Sequence, residues 1–268
     1  MEDILYKIAL HNREADVKLI LRRNPDLNVN WVDRFGQTVL HRACEKGHDA
    51  ITRILLSHPG IDVNLRDVYG HTPLLLASLF QHAGCVGLLL RDSRVNCLPG
   101  ERGVGLKWAA EKGSVDIVRL WVATGRMFPP ELWCAGAITT ARSPAWRKLN
   151  ETQEEYVMRQ KANVDTATLL ERFVEEPEET MHAVRAELRW YNLLASEMFA
   201  VVVFVSDGLL EVTQGEKATT PAARFFTIAQ KLPLELQMVL CYRLVGSGQE
   251  VIIGTHSEAA FKALARRF

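Results

Sequence analysis

The chain has 268 residues, of which 48% are hydrophobic, and its 32 lysines and arginines are balanced by 32 aspartates and glutamates. This hydrophobic content suffices for one or two folded domains, and the lack of net charge argues against nucleic acid as a partner and against electrostatic attachment to a membrane. The longest apolar stretch, at 198–205, is far shorter than the roughly 20 residues that a membrane-spanning helix needs.

The N-terminal segment mixes acidic and basic residues and lacks the apolar core of a signal peptide. The five cysteines form no Cys-x-x-Cys pair, so the sequence predicts neither a disulfide framework nor a zinc site. They are Cys44, Cys85, Cys97, Cys134 and Cys241. We therefore expect reduced thiols in a cytoplasmic or nuclear protein that is not secreted.

A segment of sequence recurs along the first half of the chain. DRFGQTVLHRA at 33–43 returns as DVYGHTPLLLA at 67–77, a shift of 34 residues, and LKWAAEKG at 106–113 answers LHRACEKG at 40–47. Asn30, Asn64 and Asn96 close successive units. A repeat of this length is typical of solenoid proteins, in which each unit buries its apolar face against the next.

The residue types in the repeat suit two tight turns and two helices per unit. Gly36 and Gly70 lie where a turn favours positive φ, and Gly47 and Gly113 lie where one helix must end and the chain must reverse. Thr38 and its counterpart in the next unit are predicted to cap the first helix.

These segments resemble the ankyrin repeat, whose pattern has a D-x-x-G-x-T-P-L-H-x-A opening, a Gly-His turn and an apolar second helix. The resemblance covers residues 1–126, with 5–30 as an N-terminal unit that lacks its own hairpin. It implies an all-α ankyrin-repeat solenoid of three to four and a half helix pairs with short β-hairpin turns. It also implies that His41 and His48 are structural hydrogen-bonding residues rather than metal ligands.

Three features depart from the ankyrin pattern. Val39 stands where the motif has proline, Gln81 stands at the inter-helix glycine position, and the third hairpin at 98–105 lacks the aspartate and the threonine.

Beyond residue 126 the pattern weakens. Residues 156–170 align with 107–122, with Ala162 at the inter-helix glycine position, which predicts a degenerate further helix pair. We therefore divide the chain into ankyrin repeats at 1–126, a degenerate repeat and linker at 127–175, and a helical C-terminal domain at 176–268.

The C-terminal domain is predicted to be a bundle of four helices. An acidic segment around Pro177 is typical of a helix start, and apolar side chains at steps of three and four predict one continuous helix over 181–205, although 201–205 could by propensity be a strand. Prolines begin the next two predicted helices, at 221–231 and 233–245, and a last helix is expected at 257–268.

The sequence offers no catalytic, cofactor or metal site. GERGVG at 100–105 does not have the dinucleotide-binding order, and GEK at 215–217 lacks the Walker spacing. Cys241 lies within a helical apolar pattern without a paired histidine, which favours core packing over a nucleophilic role. We therefore predict a non-catalytic protein that uses no cofactor.

The ankyrin resemblance implies a concave binding surface made of the hairpin tips and the exposed faces of the first helices. Aromatic side chains and arginine are frequent there, and these dominate binding energy at protein interfaces. The predicted partner-binding residues are Trp31, Arg34, Phe35, Gln37, Val68, Tyr69 and His71 at the tips and Arg42, Glu45, Lys46, Leu79, Phe80, Trp108, Glu111 and Lys112 on the first helices. The alternative for Phe35, Tyr69 and Trp108 is that they only pack between neighbouring units. The leading hypothesis is a scaffold or adaptor with a protein partner.

A second hypothesis comes from the KLPLEL segment at 231–236, followed by Val239 and Leu240. It resembles the L-P-x-E-L opening of an F-box. This resemblance implies a substrate receptor of a ubiquitin ligase that binds a Skp1-type adaptor through residues 232–245. A third hypothesis is an enzyme within 181–268.

Overall fold

The computed structural model describes residues 1–96, 104–126, 129–143, 151–207, 221–229, 231–244 and 260. The chain divides into two compact units, Met1–Val184 and Arg185–Phe268.

In the first unit, consecutive helices form pairs that stack on one another. The pairs are α1 (Glu2–Leu10) with α2 (Glu14–Arg23), α3 (Val39–Lys46) with α4 (Asp49–Leu56), α5 (Pro73–Leu79) with α6 (Ala83–Arg91), α7 (Val104–Glu111) with α8 (Val115–Thr124), and α9 (Pro130–Arg142) with α10 (Gln153–Glu175). The first helices α1, α3, α5, α7 and α9 pack in that order, and so do the second helices α2, α4, α6, α8 and α10. The predicted helical solenoid is thereby confirmed.

The turn chemistry predicted for the repeats is confirmed. Gly36 and Gly70 adopt φ values of +69° and +80°, which glycine reaches without steric cost. Thr38 Oγ1 accepts from the backbone N–H of His41 and caps α3, and Thr72 caps α5 in the same way. Among the described residues the hairpins contain one isolated β-bridge, between Val32 and Thr38.

Asparagine side chains connect each unit to the next. Asn30 donates from Nδ2 to the carbonyl of Gly60 at 2.8 Å and accepts at Oδ1 from the N–H of Asp62 at 2.8 Å. Asn64 repeats this pattern with the carbonyl of Arg94 at 2.8 Å and the N–H of Asn96 at 2.7 Å. These paired hydrogen bonds give a physical reason for the regular spacing of the asparagines.

Histidine rings make a second set of links between units, and His41 and His48 are the structural hydrogen-bonding residues that the ankyrin resemblance implied. The Nδ1 atom of His41 accepts from the N–H of Thr38, so its Nε2–H donates to the carbonyl of His71 at 3.1 Å. His48 Nε2 lies 3.2 Å from the carbonyl of Leu10, and His82 Nε2 lies 3.0 Å from the carbonyl of Glu45.

The prediction of a helix pair within 156–170 was wrong. A capping box of Thr152 and Glu155 starts helix α10. The helix runs unbroken through Ala162 because no glycine or proline interrupts it before its end. The last pair of the stack is instead α9 with α10, and Ala162 packs against the turn between α7 and α8. A Cβ added at Gly113 would lie 3.1 Å from the Cβ of Ala162.

The prediction of one continuous helix over 181–205 was also wrong. The chain forms α11 (Pro177–Glu187) and α12 (Trp190–Ser206), and the break contains Arg189 at a φ of +50°. The apolar periodicity continues across the break, and arginine is not a residue type that signals positive φ, so the pattern did not reveal it. Residues 201–205 are helical, not a strand.

In the second unit, α12 packs with α13 (Pro221–Ala229) and α14 (Leu234–Leu244). Their shared core consists of Ala195, Phe199, Val202, Ala229, Cys241 and Tyr242, which confirms the predicted core position of Cys241. The predicted helix at 257–268 lies outside the described residues except for Ala260. Most of the third hairpin and the GEK segment at 215–217 also lie outside them.

The division between the two units falls between Val184 and Arg185, within α11. The boundaries proposed from the sequence at 126/127 and 175/176 remain predictions. No single helix in the described ranges has both the length and the hydropathy to cross a bilayer, and α11 and α12 meet these criteria only when taken together across their break.

Candidate protein-binding surface

A polar network joins the first hairpin to α1 and α3. Tyr6 donates from its hydroxyl to Asp33 Oδ2 at 2.6 Å, and Arg42 donates from Nε to the Tyr6 hydroxyl at 2.5 Å and from Nη1 to Glu45 Oε2 at 2.7 Å. The ring of Trp31 packs edge-on against Tyr6, with 5.7 Å between centroids. Arg42 is therefore fixed by Glu45 and Tyr6, and Tyr6 connects it to Asp33 on the hairpin.

Burial shapes the protonation of this network. Burial and, after it, the hydrogen bond to Asp33 together raise the pKa of Tyr6 to about 12. Burial alone would raise the pKa of Asp33, but hydrogen bonds from Tyr6 and from the N–H groups of Gln37 and Phe35 outweigh it and lower that pKa. The network is thus an ionised carboxylate and guanidinium around a neutral phenol.

The second hairpin has its own buried carboxylate, Asp67. Its Oδ1 accepts from the N–H groups of Tyr69 and His71 at 2.9 and 2.8 Å, and its Oδ2 accepts from Gln37 Nε2 at 3.1 Å. Val68 N–H also donates to the carbonyl of Phe35 at 3.0 Å, so the two hairpins are tied together. Gln37 is buried, which corrects its assignment as a partner-binding residue: its amide links neighbouring hairpins.

The tip of the second hairpin is exposed. Val68 and Tyr69 are 63% and 70% exposed, and Phe80, at the C-terminal end of α5, is 47% exposed. Tyr69 is therefore not packed between units. Arg34 is exposed as well, and its guanidinium lies 4.7 Å from the centroid of the Phe35 ring.

An open groove with a volume of about 560 Å³ lies where α10 extends past the turns of the preceding helix pairs. Its repeat-side wall consists of Gln81, Lys112 and Gly113. Its other wall belongs to the start of α10 and includes Glu155, Met158 and Ala162, together with the pair of Glu151 and Arg159. That pair is bidentate, with both N–O distances at 2.7 Å, and both side chains are almost buried.

The family model for ankyrin repeats, in three copies, matches residues 5–100. Residues 5–100 are ankyrin repeats. The putative ankyrin repeat protein YahD of Escherichia coli (strain K12) is 39% identical over 115 residues, which are 41% of this chain and 56% of YahD. The SMC5-SMC6 complex localization factor protein 1 of Homo sapiens is 37% identical over 101 residues, 37% of this chain and 10% of that protein. The chain thus spans about half the length of one relative and a tenth of the other.

Among solved structures, the ankyrin repeat protein EF0377 aligns with a TM-score of 0.48 and 21% sequence identity, over 69% of this chain and 98% of EF0377.

The first helices of the stacked pairs place the other predicted residues near the turns between helices. Lys46, Phe80 and Lys112 occupy equivalent positions in three successive helix pairs, each just before an inter-helix turn residue of positive φ. Lys46 and Glu111 are exposed, whereas Leu79, Trp108 and Lys112 are partly buried. Of the predicted tip residues, Trp31, Phe35 and His71 are partly buried.

Sequence reasoning missed Tyr6 and the α10 wall of the groove. Tyr6 lies outside the repeat motif, and the contribution of α10 depends on its position in the stack rather than on any local signal.

The residues that the structure describes contain no group of three His, Cys, Asp or Glu side chains that could hold a metal ion. Burial raises the pKa of Cys134 and of Cys241 to about 12, so both thiols are protonated at neutral pH. In the second unit, Leu234 and Leu236 of the KLPLEL segment are exposed.

Proposed function

We propose that this protein is a non-catalytic scaffold or adaptor that binds a protein partner through the concave surface of its ankyrin repeats. Ankyrin repeats are protein–protein interaction modules. The proposal adds that the concave surface is the one that contacts the partner. The observation that carries it is the exposure of Val68, Tyr69 and Phe80 on one repeat, beside the exposed Arg34 of the repeat before.

These side chains are presented by a preorganised backbone. The hairpin that carries Tyr69 is held by four hydrogen-bonding contacts to the carboxylate of Asp67 and one to the carbonyl of Phe35. A partner that covers Tyr69 would therefore lose little loop entropy on binding. Aromatic side chains bury about 150–250 Å² each and are frequent hot spots.

The test compares wild type with a Tyr69→Ala/Phe80→Ala variant. Affinity capture identifies partners, and titration calorimetry with the purified partner measures the dissociation constant. Loss of two hot-spot side chains, at about 1–2 kcal/mol each, is expected to weaken binding by about 30-fold or more. Arg42 is left unchanged because its substitution would disrupt the network around Tyr6.

Leu19→Ala is the matched control, because Leu19 is 45% exposed and lies on the second helix α2, away from the proposed surface. We expect it to bind like wild type. Thermal unfolding of each variant must show that the fold is retained. A partner that binds the double variant as tightly as wild type would refute the proposed surface.

A second candidate function is adaptor binding by α14. The supporting observation is that α14 begins directly after Pro233 and exposes Leu234 and Leu236, as an L-P-x-E-L docking segment would require. A pull-down with a Skp1-type adaptor tests it: retention by wild type and loss in Leu232→Asp/Leu236→Asp would support it, and no retention would end it.

A further inference from the structure

The ends of three successive first helices form a strip that leads into the α10 groove. The strip consists of Lys46, Phe80 and Lys112, which precede turn residues with φ of +69°, +63° and +69°. Because these backbone conformations match, the three side chains leave their helices at equivalent places. One aromatic ring is thus flanked by a cation on each side.

The charges of the strip are available to a ligand. Among the described residues Lys46, whose side chain is 48% exposed, pairs only with Glu45, at 3.3 Å. Glu45 is also paired with Arg42 at 2.7 Å, so it neutralises Lys46 only in part. Lys112 has no ion-pair partner among the described residues and lines the groove.

The groove adds a donor and an apolar contact beside Lys112. Gln81 accepts at Oε1 from the Ser114 hydroxyl at 3.0 Å, which leaves its Nε2 group to donate into the groove. Met158, on the α10 wall, is 73% exposed. The acidic neighbours are Glu111, exposed on α7, Glu151, which is paired with Arg159, and Glu155. The Glu155 carboxylate accepts from the N–H and hydroxyl of Thr152 at 2.8 and 3.0 Å.

We propose that this strip and groove bind an extended acidic segment of the protein partner, with carboxylates on Lys46 and Lys112 and an apolar side chain between them on Phe80. The inference rests on the proposed function and adds the chemistry of the partner. The geometry of the strip sets the spacing between the two carboxylates of the partner segment. Packed helices lie about 8–10 Å apart, so the two lysines are about 18 Å apart. An extended chain covers that distance in about five or six residues.

The probe is therefore a seven-residue peptide with aspartate at both ends, phenylalanine in the centre and glycine–serine pairs between them. Two control peptides replace both aspartates by lysine or the phenylalanine by alanine. Binding to the full chain is followed by NMR titration at low salt up to millimolar peptide. We expect the aspartate peptide to bind at least about tenfold more tightly than the lysine peptide, with an affinity that falls as salt is added.

Protein variants test the assignment of the residues. The Lys46→Glu/Lys112→Glu variant should bind the lysine peptide more tightly than the aspartate peptide. Lys18→Glu, a charge reversal on α2 outside the strip, is the control and should leave the preference for the aspartate peptide unchanged. Glu111→Gln removes a nearby negative charge and should tighten binding of the aspartate peptide about twofold.

The outcomes separate this inference from the proposed function. It is overturned if neither peptide binds wild type, if both bind equally, or if the charge-reversed variant still prefers aspartate. In those cases loss of partner binding in Tyr69→Ala/Phe80→Ala would still support the proposed surface. If that loss is also absent, both proposals fail.

Discussion

Replacing Gly47 by alanine should measure how tightly one repeat packs on the next. Gly47 ends the first helix of its repeat at a φ of +69°, and a Cβ there would lie 2.5 Å from Nδ1 of the His82 ring in the following repeat. Gly70 is the matched control, because its φ is +80° and a Cβ there would meet nothing within 4 Å. Both substitutions place alanine at a positive φ, and only Gly47→Ala also brings a Cβ against the His82 ring.

The backbone cost of an L-residue in the left-handed region is about 1–2 kcal/mol, so Gly70→Ala should destabilise by that amount. Gly47→Ala must also displace the His82 ring, whose Nε2 lies 3.0 Å from the carbonyl of Glu45. Loss of that hydrogen bond adds about 1 kcal/mol. We expect a total of about 2–3 kcal/mol.

Urea unfolding followed by far-UV circular dichroism gives the free energies, with the slope m checked for constancy between variants. In a His82→Ala background the ring is absent, and the cost of Gly47→Ala should fall to that of Gly70→Ala. Equal costs of Gly47→Ala and Gly70→Ala in the wild-type background would contradict a close contact between position 47 and the His82 ring. An unchanged cost of Gly47→Ala after removal of the His82 ring would contradict it as well.

Two further predictions concern links between repeats. Burial lowers the pKa of His41 below 6.5, against the opposing effect of the His71 carbonyl, so the unfolded chain binds more protons below pH 6.5 and stability should fall as the pH drops. His41→Gln should flatten that dependence when unfolding is compared between about pH 7.5 and 5.5, and an unchanged slope would contradict the assignment. Asn64→Ala removes hydrogen bonds to Arg94 and Asn96 and should cost about 1 kcal/mol in urea unfolding. Asn64→Asp keeps only the acceptor, so its free energy of unfolding should lie between those of wild type and Asn64→Ala. Equal stability of all three would contradict the link.

The repeats could be predicted because their conformation depends on local chemistry. A turn at positive φ favours glycine, as at Gly36, and a helix N-cap favours threonine, as at Thr38. The same residue types therefore recur in successive units. The roles of the asparagines were not predictable from spacing alone. Asn30 and Asn64 reach the backbone of the next repeat, a contact that exists only after stacking.

Elements without such local signals were misplaced. Helix α10 was divided at Ala162 by alignment with an earlier repeat, although no helix-breaking residue is present. The break before α12 was missed because Arg189 carries no signature of its left-handed backbone. In the candidate site, Tyr69 is exposed and its assignment to the binding surface stays a prediction, whereas Gln37 and Arg42 are hydrogen-bonded to Asp67 and Tyr6.

Consecutive helix pairs stack on one another, and the proposed binding surface depends on this stacking. Hydrogen exchange of three exposed-loop amides tests it most directly. Val68, Asp62 and Asn96 donate to the repeat before them, to Phe35 O at 3.0 Å, Asn30 Oδ1 at 2.8 Å and Asn64 Oδ1 at 2.7 Å. If the repeats stack, NMR should show all three exchanging far more slowly than unstructured amides. Exchange of all three at unprotected rates would contradict the stacked arrangement.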